Sequence, residues 1–197
     1  MNFKYSALYA AILTASLGMV GCSSSGSSPA KNAAAGSTAA ATSVKGRVTG
    51  FGSVFVDGVE YDTTATTVMR DGVAVSVPAE KELKVGMIVT LNGSANGTQG
   101  VASSIAFKDE LEGLVQANGL GNAGGVLLVM GQNVTVDANT NFESTDANIT
   151  TAADIPANAV VEISGYPDGN GNILATFIEL KASDVASYKN ASNNKEM

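Results

Sequence analysis

Between Val44 and Lys181 the chain alternates apolar and polar residues with a period of two. Short runs rich in branched side chains, such as Val54–Val56 and Val73–Val77, are separated by glycine, asparagine or aspartate, which is typical of half-buried β-strands. A single helical turn is predicted over Glu80–Lys84. Four dipeptides between the runs suit tight hairpin turns because they tolerate positive φ. These are Asp57-Gly58, Asp71-Gly72, Asn96-Gly97 and Asp168-Gly169.

The strand pattern occurs twice, in two similar stretches of about 65–70 residues. Gly46-Arg47-Val48 aligns with Gly113-Leu114-Val115, and Leu83–Val89 aligns with Ile155–Val161. We therefore place a first β-domain at 44–109 and a second at 110–182. A core of this size is only marginally stable alone, so the two copies are expected to pack against each other or to pair their edge strands.

The N-terminal 21 residues have the regions of a signal peptide. Lys4 precedes the apolar run Ala7–Val20, which is too short for a membrane-spanning helix. The run ends at Val20-Gly21-Cys22, which resembles a bacterial lipobox, although Met19 stands where leucine is usual. The resemblance implies cleavage before Cys22 and lipidation of its sulfur and its new amino group. Ser23 after the cysteine further implies placement in the outer membrane, where the envelope has one.

Two segments lack the residues that a core needs. Residues 22–43 are mostly serine, alanine, glycine and threonine, which cannot bury enough surface to offset the entropy of ordering. They are predicted to form a flexible tether. Residues 183–197 are predicted to be a frayed polar tail, with Tyr188 as the single aromatic side chain.

A longer string of the first copy, Gly50–Thr63, reads GFGSVFVDGVEYDT and is followed downstream by Val85–Val89 and Asn92-Gly93. It resembles a bacterial domain of unknown function numbered 5666, a family of short repeated β-domains of envelope proteins. The resemblance covers both copies and is stronger in the first. It implies an all-β chain with two tandem small barrels similar to oligonucleotide/oligosaccharide-binding (OB) folds. It brings no assigned activity and no catalytic residues.

Composition excludes several kinds of function. The net charge is −7 and tryptophan is absent, which disfavours nucleic acid as a partner. The chain has no histidine, and so lacks the usual triad base, zinc ligand and near-neutral acid or base. We therefore predict no catalytic residue and no cofactor.

Three aromatic residues are candidates for stacking on the apolar face of a sugar: Phe51, Tyr61 and Tyr166. The competing interpretation is that they pack across strands within the hairpins. The sequence leaves both alternatives open.

A calcium loop is a second candidate site. Asp168, Asn170 and Asn172 have the alternate spacing of such a loop, and Glu179 falls where the closing ligand would lie. However, Ile173 occupies the position that requires glycine, and a strand pattern follows it. A polar hairpin turn is the alternative, and we predict no metal site on balance.

The function expected from these patterns is a non-catalytic binding or assembly module, held at a membrane by its lipid and meeting an envelope protein or a glycan. The alternative is a carbohydrate-active enzyme that uses paired carboxylates. Its candidate acids are Glu60 with Asp62, or Asp109 with Glu110 and Glu112.

Overall fold

The computed structural model describes residues 40–121 and 123–193, and these belong to one compact unit. The first copy contains seven strands and one short helix. In chain order they are β1 (Ala40–Phe51), β2 (Val54–Val56), β3 (Val59–Asp62), β4 (Thr67–Arg70), β5 (Val73–Val75), α1 (Ala79–Glu82), β6 (Ile88–Asn96) and β7 (Gln99–Phe107).

The second copy repeats this order with small changes. A 3₁₀ turn at Ala152–Asp154 takes the place of α1, and a C-terminal helix follows the last strand. The remaining elements are β8 (Leu111–Asn118), β9 (Gly125–Val129), β10 (Gln132–Val136), β11 (Asn141–Ser144), β12 (Val160–Pro167), β13 (Ile173–Ala182) and α2 (Val185–Asn193).

Each copy closes into a five-stranded barrel. In the first, the strand order β3-β2-β1-β6-β7 is closed by parallel pairing of β3 with β7. In the second, β10-β9-β8-β12-β13 is closed by parallel pairing of β10 with β13. The predicted all-β fold with two tandem small barrels, of the OB-like kind, is confirmed.

The predicted hairpin turns have the backbone that their sequences favour. Asp57 has φ of 48° between β2 and β3, Asp71 has 51° between β4 and β5, and Gly97 has 64° between β6 and β7. The turn between β9 and β10 was not predicted, because Met130, with φ of 50°, is a residue that rarely adopts this conformation.

The predicted alignment of the two copies is reproduced by individual hydrogen bonds. The amide of Val48 donates to the carbonyl of Met87 at 2.9 Å, and the amide of Val115 donates to that of Ala159 at 2.9 Å. Both valines are fully buried. The two copies are therefore one supersecondary design used twice.

The barrels pack against each other through the second barrel's β13. Phe177 is 2% exposed and belongs to the core of the first barrel, although its strand belongs to the second. Gly86 faces the same strand, and a Cβ atom there would lie 2.5 Å from the carbonyl oxygen of Thr176. The expected contact between the copies is thus made by packing; across the two described ranges, no strand of one sheet pairs with a strand of the other.

Both ends of the folded region extend beyond the prediction. β1 begins at Ala40 and pairs with β6 from its first residue, so the last part of the predicted tether is a strand. The tail predicted to fray forms α2, where the hydroxyl of Tyr188 donates to Glu112. The described helices are all too short or too polar to cross a membrane.

Candidate functional site

A cleft lies at the same end of each barrel, where the β1–β2 turn, the β3–β4 connection and the helical turn meet. Cleft 1, in the first barrel, has a volume of about 610 Å³, and cleft 2, in the second, about 330 Å³. The lining of cleft 1 includes Ser53, Asp62, Thr63, Thr64, Thr66, Val75, Ser76, Val77, Pro78 and Glu80. The lining of cleft 2 includes Leu120, Gly121, Gly124, Val136, Asp137, Thr140, Phe142, Thr151 and Ala152.

The two clefts rest on the same hydrogen bond between a threonine and the last barrel strand. In cleft 1 the hydroxyl of Thr66 donates to the carbonyl of Ala102 at 2.8 Å. In cleft 2 the hydroxyl of Thr140 donates to the carbonyl of Ala175, also at 2.8 Å. This bond fixes the connection after the third strand in both barrels.

An aspartate begins that connection in each copy. Asp62 Oδ1 accepts from the amide of Thr64 at 2.9 Å, and Asp137 Oδ1 accepts from the amide of Asn139 at 2.8 Å. Aspartate stabilises its own turn in this way because its short side chain reaches the amide two residues on. The frame of the clefts is therefore shared.

Cleft 1 carries negative charge. The hydroxyl and the amide of Thr64 both donate to Asp62, which lowers the pKa of that carboxyl. Glu80 Oε1 accepts from the hydroxyl of Thr63 at 2.5 Å. None of the residues that line cleft 1 is lysine or arginine, so its carboxylates have no cation within the lining.

One wall of cleft 1 is apolar and is carried by a strand that the second copy lacks. Strand β5 pairs with β4 and is followed by Ser76, Val77 and Pro78, which line the cleft. Val77 is 43% exposed. In the second copy, residues 145–151 occupy this place and form no strand. Cleft 1 thus combines a polar wall with an apolar one.

Cleft 2 is lined by more apolar and backbone surface. Leu120 and Phe142 pack on the second core while they line the cleft. Gly124 has φ of 98°, and a Cβ atom there would lie 2.2 Å from the carbonyl oxygen of Val136, so only glycine fits. The side-chain Nδ2 of Asn118 donates to the carbonyl of Ala152 at 3.0 Å and holds the 3₁₀ turn in place.

The three predicted aromatic residues lie in different environments. Tyr61 is 2% exposed and contributes to the first core. Of the two alternatives that the sequence left open, packing within the barrel is therefore the one that describes Tyr61, because barrel closure buries its ring. Phe51 is 38% exposed and immediately precedes Gly52 of cleft 1. Tyr166 is half-buried on β12, where burial and the nearby charge of Asp57 raise the pKa of its hydroxyl.

The four residues considered for calcium do not form one site. Asp168 accepts from the amide of Asn170 at 2.7 Å and from the side chain of Asn172 at 2.8 Å, and these bonds lower the pKa of its carboxyl. Glu179 lies six residues along β13 from Ile173, about 20 Å away, and pairs with Lys181 at 3.5 Å. Within the described ranges, no three His, Cys, Asp or Glu side chains are placed to hold a metal ion.

The acids considered for catalysis lie in separate places, and Asp109 and Glu110 line a surface pocket away from both clefts. Burial and the charge of Asp71 raise the pKa of Asp109, so Asp109 interacts with the β4–β5 turn. Glu112 instead accepts the hydroxyl of Tyr188. Glu60 and Asp62 share a face of β3 beside cleft 1.

One ionic cluster was missed by the sequence interpretation. Glu162 is 4% exposed and accepts from Arg70 of the first barrel at 3.1 Å and from Lys181 at 3.0 Å. Burial disfavours the charge on Lys181, yet Glu162 beside it raises the pKa of the ammonium group. The signal was a lone acid inside the apolar run Val160–Ile163, since an acid is rarely buried without a partner.

Comparison with known proteins gives one family. The model of a domain of unknown function, DUF5666, matches residues 43–106 and again residues 112–179. These two matches coincide with the two barrels and cover more than half of the chain. No curated protein and no solved structure matches the chain. The chain therefore belongs to the DUF5666 family and carries two copies of its domain.

Proposed function

We propose that this protein is a lipid-anchored, non-catalytic binding module of the bacterial envelope, in which each barrel offers one cleft to a partner molecule. The observation that carries the proposal is the pair of clefts at equivalent ends of the barrels. Both are built on the same threonine and aspartate hydrogen bonds, while the residues that line them differ.

A shared frame with different linings is what a binding scaffold requires. Strands and turn bonds keep the position of a site constant, and the side chains of connecting segments set what the site accepts. If the clefts had no function, we would expect the apolar side chains near them to be buried in the cores. Cleft 1 instead exposes Val77 in the same lining as the carboxylate of Asp62, and core packing does not require this exposure.

A binding role also fits the available chemistry. The chain has no histidine, and the carboxylates at cleft 1 are already held by threonine hydroxyls and amides. A carbohydrate-active enzyme would need two acids on opposite sides of one glycosidic bond, and Glu112 is engaged by Tyr188 outside both clefts. We therefore favour binding over hydrolysis.

The anchor is part of the proposal and rests on sequence. Cys22 and the tether up to residue 39 lie outside the described residues. A flexible chain of about 20 residues reaches on the order of 25 Å, which would hold the barrels clear of lipid headgroups. Two or more acyl chains would make the attachment stable. Labelled palmitate is expected to enter the wild-type chain and not the Cys22→Ala variant; an unlabelled wild-type chain would contradict the anchor.

Photo-crosslinking in living cells tests the binding role. A photoreactive amino acid replaces Ser53 in cleft 1 or Ala153 in cleft 2. The control replaces Met130, which is 60% exposed on the β9–β10 turn and lines neither cleft. We expect discrete adducts from a cleft position that the Met130 position does not give. No adduct at either cleft, or the same adducts at all three positions, would contradict the proposal.

A further inference from the structure

We infer that cleft 1 binds a neutral oligosaccharide, with the sugar hydroxyls on the acidic wall and the apolar face of the ring against Val77 and Pro78. This inference rests on the proposed binding function and names the class of molecule that one of the two sites takes. It is carried by the two unlike walls of cleft 1.

The acidic wall offers hydrogen-bond acceptors that the protein itself does not use. Each carboxylate has two oxygens, and the bonds to Asp62 engage Oδ1 while the bond to Glu80 engages Oε1. A partner in cleft 1 must therefore bring donors. Hydroxyl groups on adjacent sugar carbons are such donors, and bonds to an ionised acceptor are the stronger kind.

The apolar wall selects among donor-bearing partners. Val77 remains 43% exposed next to Pro78, and both residues line cleft 1. A sugar ring carries C–H groups on its faces and hydroxyls around its rim, so it matches a cleft that is apolar on one side and acidic on the other. The volume of about 610 Å³ lies within the roughly 300–1,000 Å³ of small-ligand sites.

Charge then narrows the class of sugar. Asp62, like any exposed aspartate, is ionised at neutral pH, and its hydrogen bonds to Thr64 lower its pKa further; no lysine or arginine lines the cleft. A uronic acid or a phosphorylated sugar would be repelled by these carboxylates. A basic peptide would be attracted, but its ion pairs with solvated carboxylates would be weak and would leave the apolar wall without a partner.

Cleft 2 is not expected to bind the same molecule. It has the aspartate turn at Asp137, but Leu120, Phe142 and Ala152 occupy its lining and strand β5 has no equivalent there. The two clefts therefore provide an internal comparison within one chain, because cleft 1 has two carboxylates, Asp62 and Glu80, beside the exposed Val77, whereas the lining of cleft 2 has one carboxylate, Asp137.

The test is a titration of the isotope-labelled full chain in a detergent without sugar headgroups, followed by amide NMR shifts. The probes are cellohexaose, maltohexaose, galactohexaose and chitohexaose. An alginate hexamer and hexalysine serve as charged comparisons. We expect at least one neutral probe to shift the amides of Ser53, Thr64 and Ser76 at millimolar concentration, with smaller effects from the charged probes.

Matched variants locate the site. Asp62→Asn keeps the turn, because asparagine supports it as well as aspartate, but removes the charge and is expected to weaken binding roughly ten-fold. Val77→Ser is expected to weaken it by a similar factor. Asp137→Asn makes the same change in cleft 2 and is expected to leave the affinity unchanged.

Three outcomes would overturn the inference. They are binding of hexalysine in preference to every neutral probe, loss of sugar binding in Asp137→Asn with retention in Asp62→Asn, and no response of cleft 1 to any of the four neutral probes. Cleft adducts to an envelope protein in the crosslinking experiment, together with any of these outcomes, would leave the binding function standing while removing the sugar. Absence of adducts would remove the function itself.

Discussion

The first and second barrels use the same backbone frame and differ in the elements and side chains attached to it. The first carries the extra strand β5, which supplies the apolar wall of cleft 1. The second carries Phe177 and Glu162 where the first has Ser104 and Thr90, and it uses both to hold its neighbour. The first copy thus leaves apolar surface exposed at its cleft, whereas the second supplies side chains that hold the two barrels together.

The division explains why the contact between the barrels is asymmetric. The first barrel contributes cations, Arg70 and Lys84, and the second contributes the carboxylates that meet them, Glu162 and Glu143. The equivalent positions of the other copy lack these charges, since Ser144 is the counterpart of Arg70 and Thr90 is the counterpart of Glu162.

The strongest way to break the comparison is Phe177→Ala. Removing a buried phenylalanine costs about 3–5 kcal/mol, and here the cavity opens in the core of the first barrel. Hydrogen exchange is expected to quicken in β1, β6 and β7, although the mutation lies in the second copy. The control Ile178→Ala, one residue along and buried in the second core, should quicken exchange there. Faster exchange confined to the second barrel in both variants would contradict the assignment of Phe177 to the core of the first barrel.

Exchanging one turn residue between the copies comes next. Gly86→Asn introduces the residue that the second copy has at the equivalent Asn158, where φ is 67°. The new Cβ would lie 2.5 Å from the carbonyl oxygen of Thr176, so a loss of about 3 kcal/mol is expected in urea unfolding. The reverse exchange, Asn158→Gly, should change stability by less than about 0.5 kcal/mol. Equal losses of stability in the two variants would show that the turn conformation, and not the contact with Thr176, determines the cost.

Glu162→Ala tests the ionic support of the second barrel. The variant leaves the half-buried Arg70 and Lys181 without their shared acceptor, at a cost of about 2 kcal/mol, below the value for fully buried pairs. Glu143→Ala breaks the more exposed pair with Lys84 and should cost less than about 1 kcal/mol. Equal losses of stability in the two variants, measured by thermal unfolding, would contradict the distinction between the two ion pairs.

The smallest expected effect is a pH dependence at the joint between the copies. The pKa of Asp109 is raised by burial and by Asp71, so the folded state binds its proton more readily than the unfolded state does. Ionised Asp109 therefore destabilises the folded state, and this destabilisation is fully present at neutral pH. It is relieved as pH falls through the folded pKa and the carboxyl becomes protonated. Asp109→Asn is expected to raise the melting temperature slightly at pH 7 and to lose that advantage near pH 3.8, the ordinary value. An advantage that grows in acid would contradict the assigned direction.

Asp62 should show the opposite sign. Its pKa is lowered by Thr64, so the contribution to stability is present above the ordinary aspartate pKa and is lost as pH falls through the lower folded value. Asp62→Asn is therefore expected to flatten the acid limb of the stability curve, as measured by urea midpoints between neutral and acid pH. An unchanged acid limb would show that the turn bonds add nothing to folding.

Local sequence rules predicted much of the frame. Period-two strands, the turns at Asp57 and Asp71, and the alignment of Val48 with Val115 all follow from short-range chemistry. They were predictable because hairpins and buried valines depend on neighbours a few residues away. The start of β1 at Ala40 was missed because small residues give no strand signal of their own until a partner such as β6 pairs with them.

The clefts and the joint were not predictable in the same way. The sequence left Tyr61 open between ligand stacking and cross-strand packing, because its hairpin position does not reveal that β3 closes onto β7 and buries the ring. Phe177 and Glu162 read as ordinary strand residues, and their roles depend on a surface more than 70 residues away in the chain. The closure of each barrel and the contact between the two copies therefore cannot be predicted from the periodicity of apolar residues.

The most direct test of the central claim, that one frame carries two different sites, is hydrogen exchange of the full chain with and without the neutral oligosaccharide that gives the largest NMR shift. The account predicts slower exchange at the amides of Thr64 and Thr66 in cleft 1 and no change at Asn139 and Thr140, which occupy the same places in cleft 2. Equal slowing at both clefts, or slowing in the second barrel alone, would contradict it.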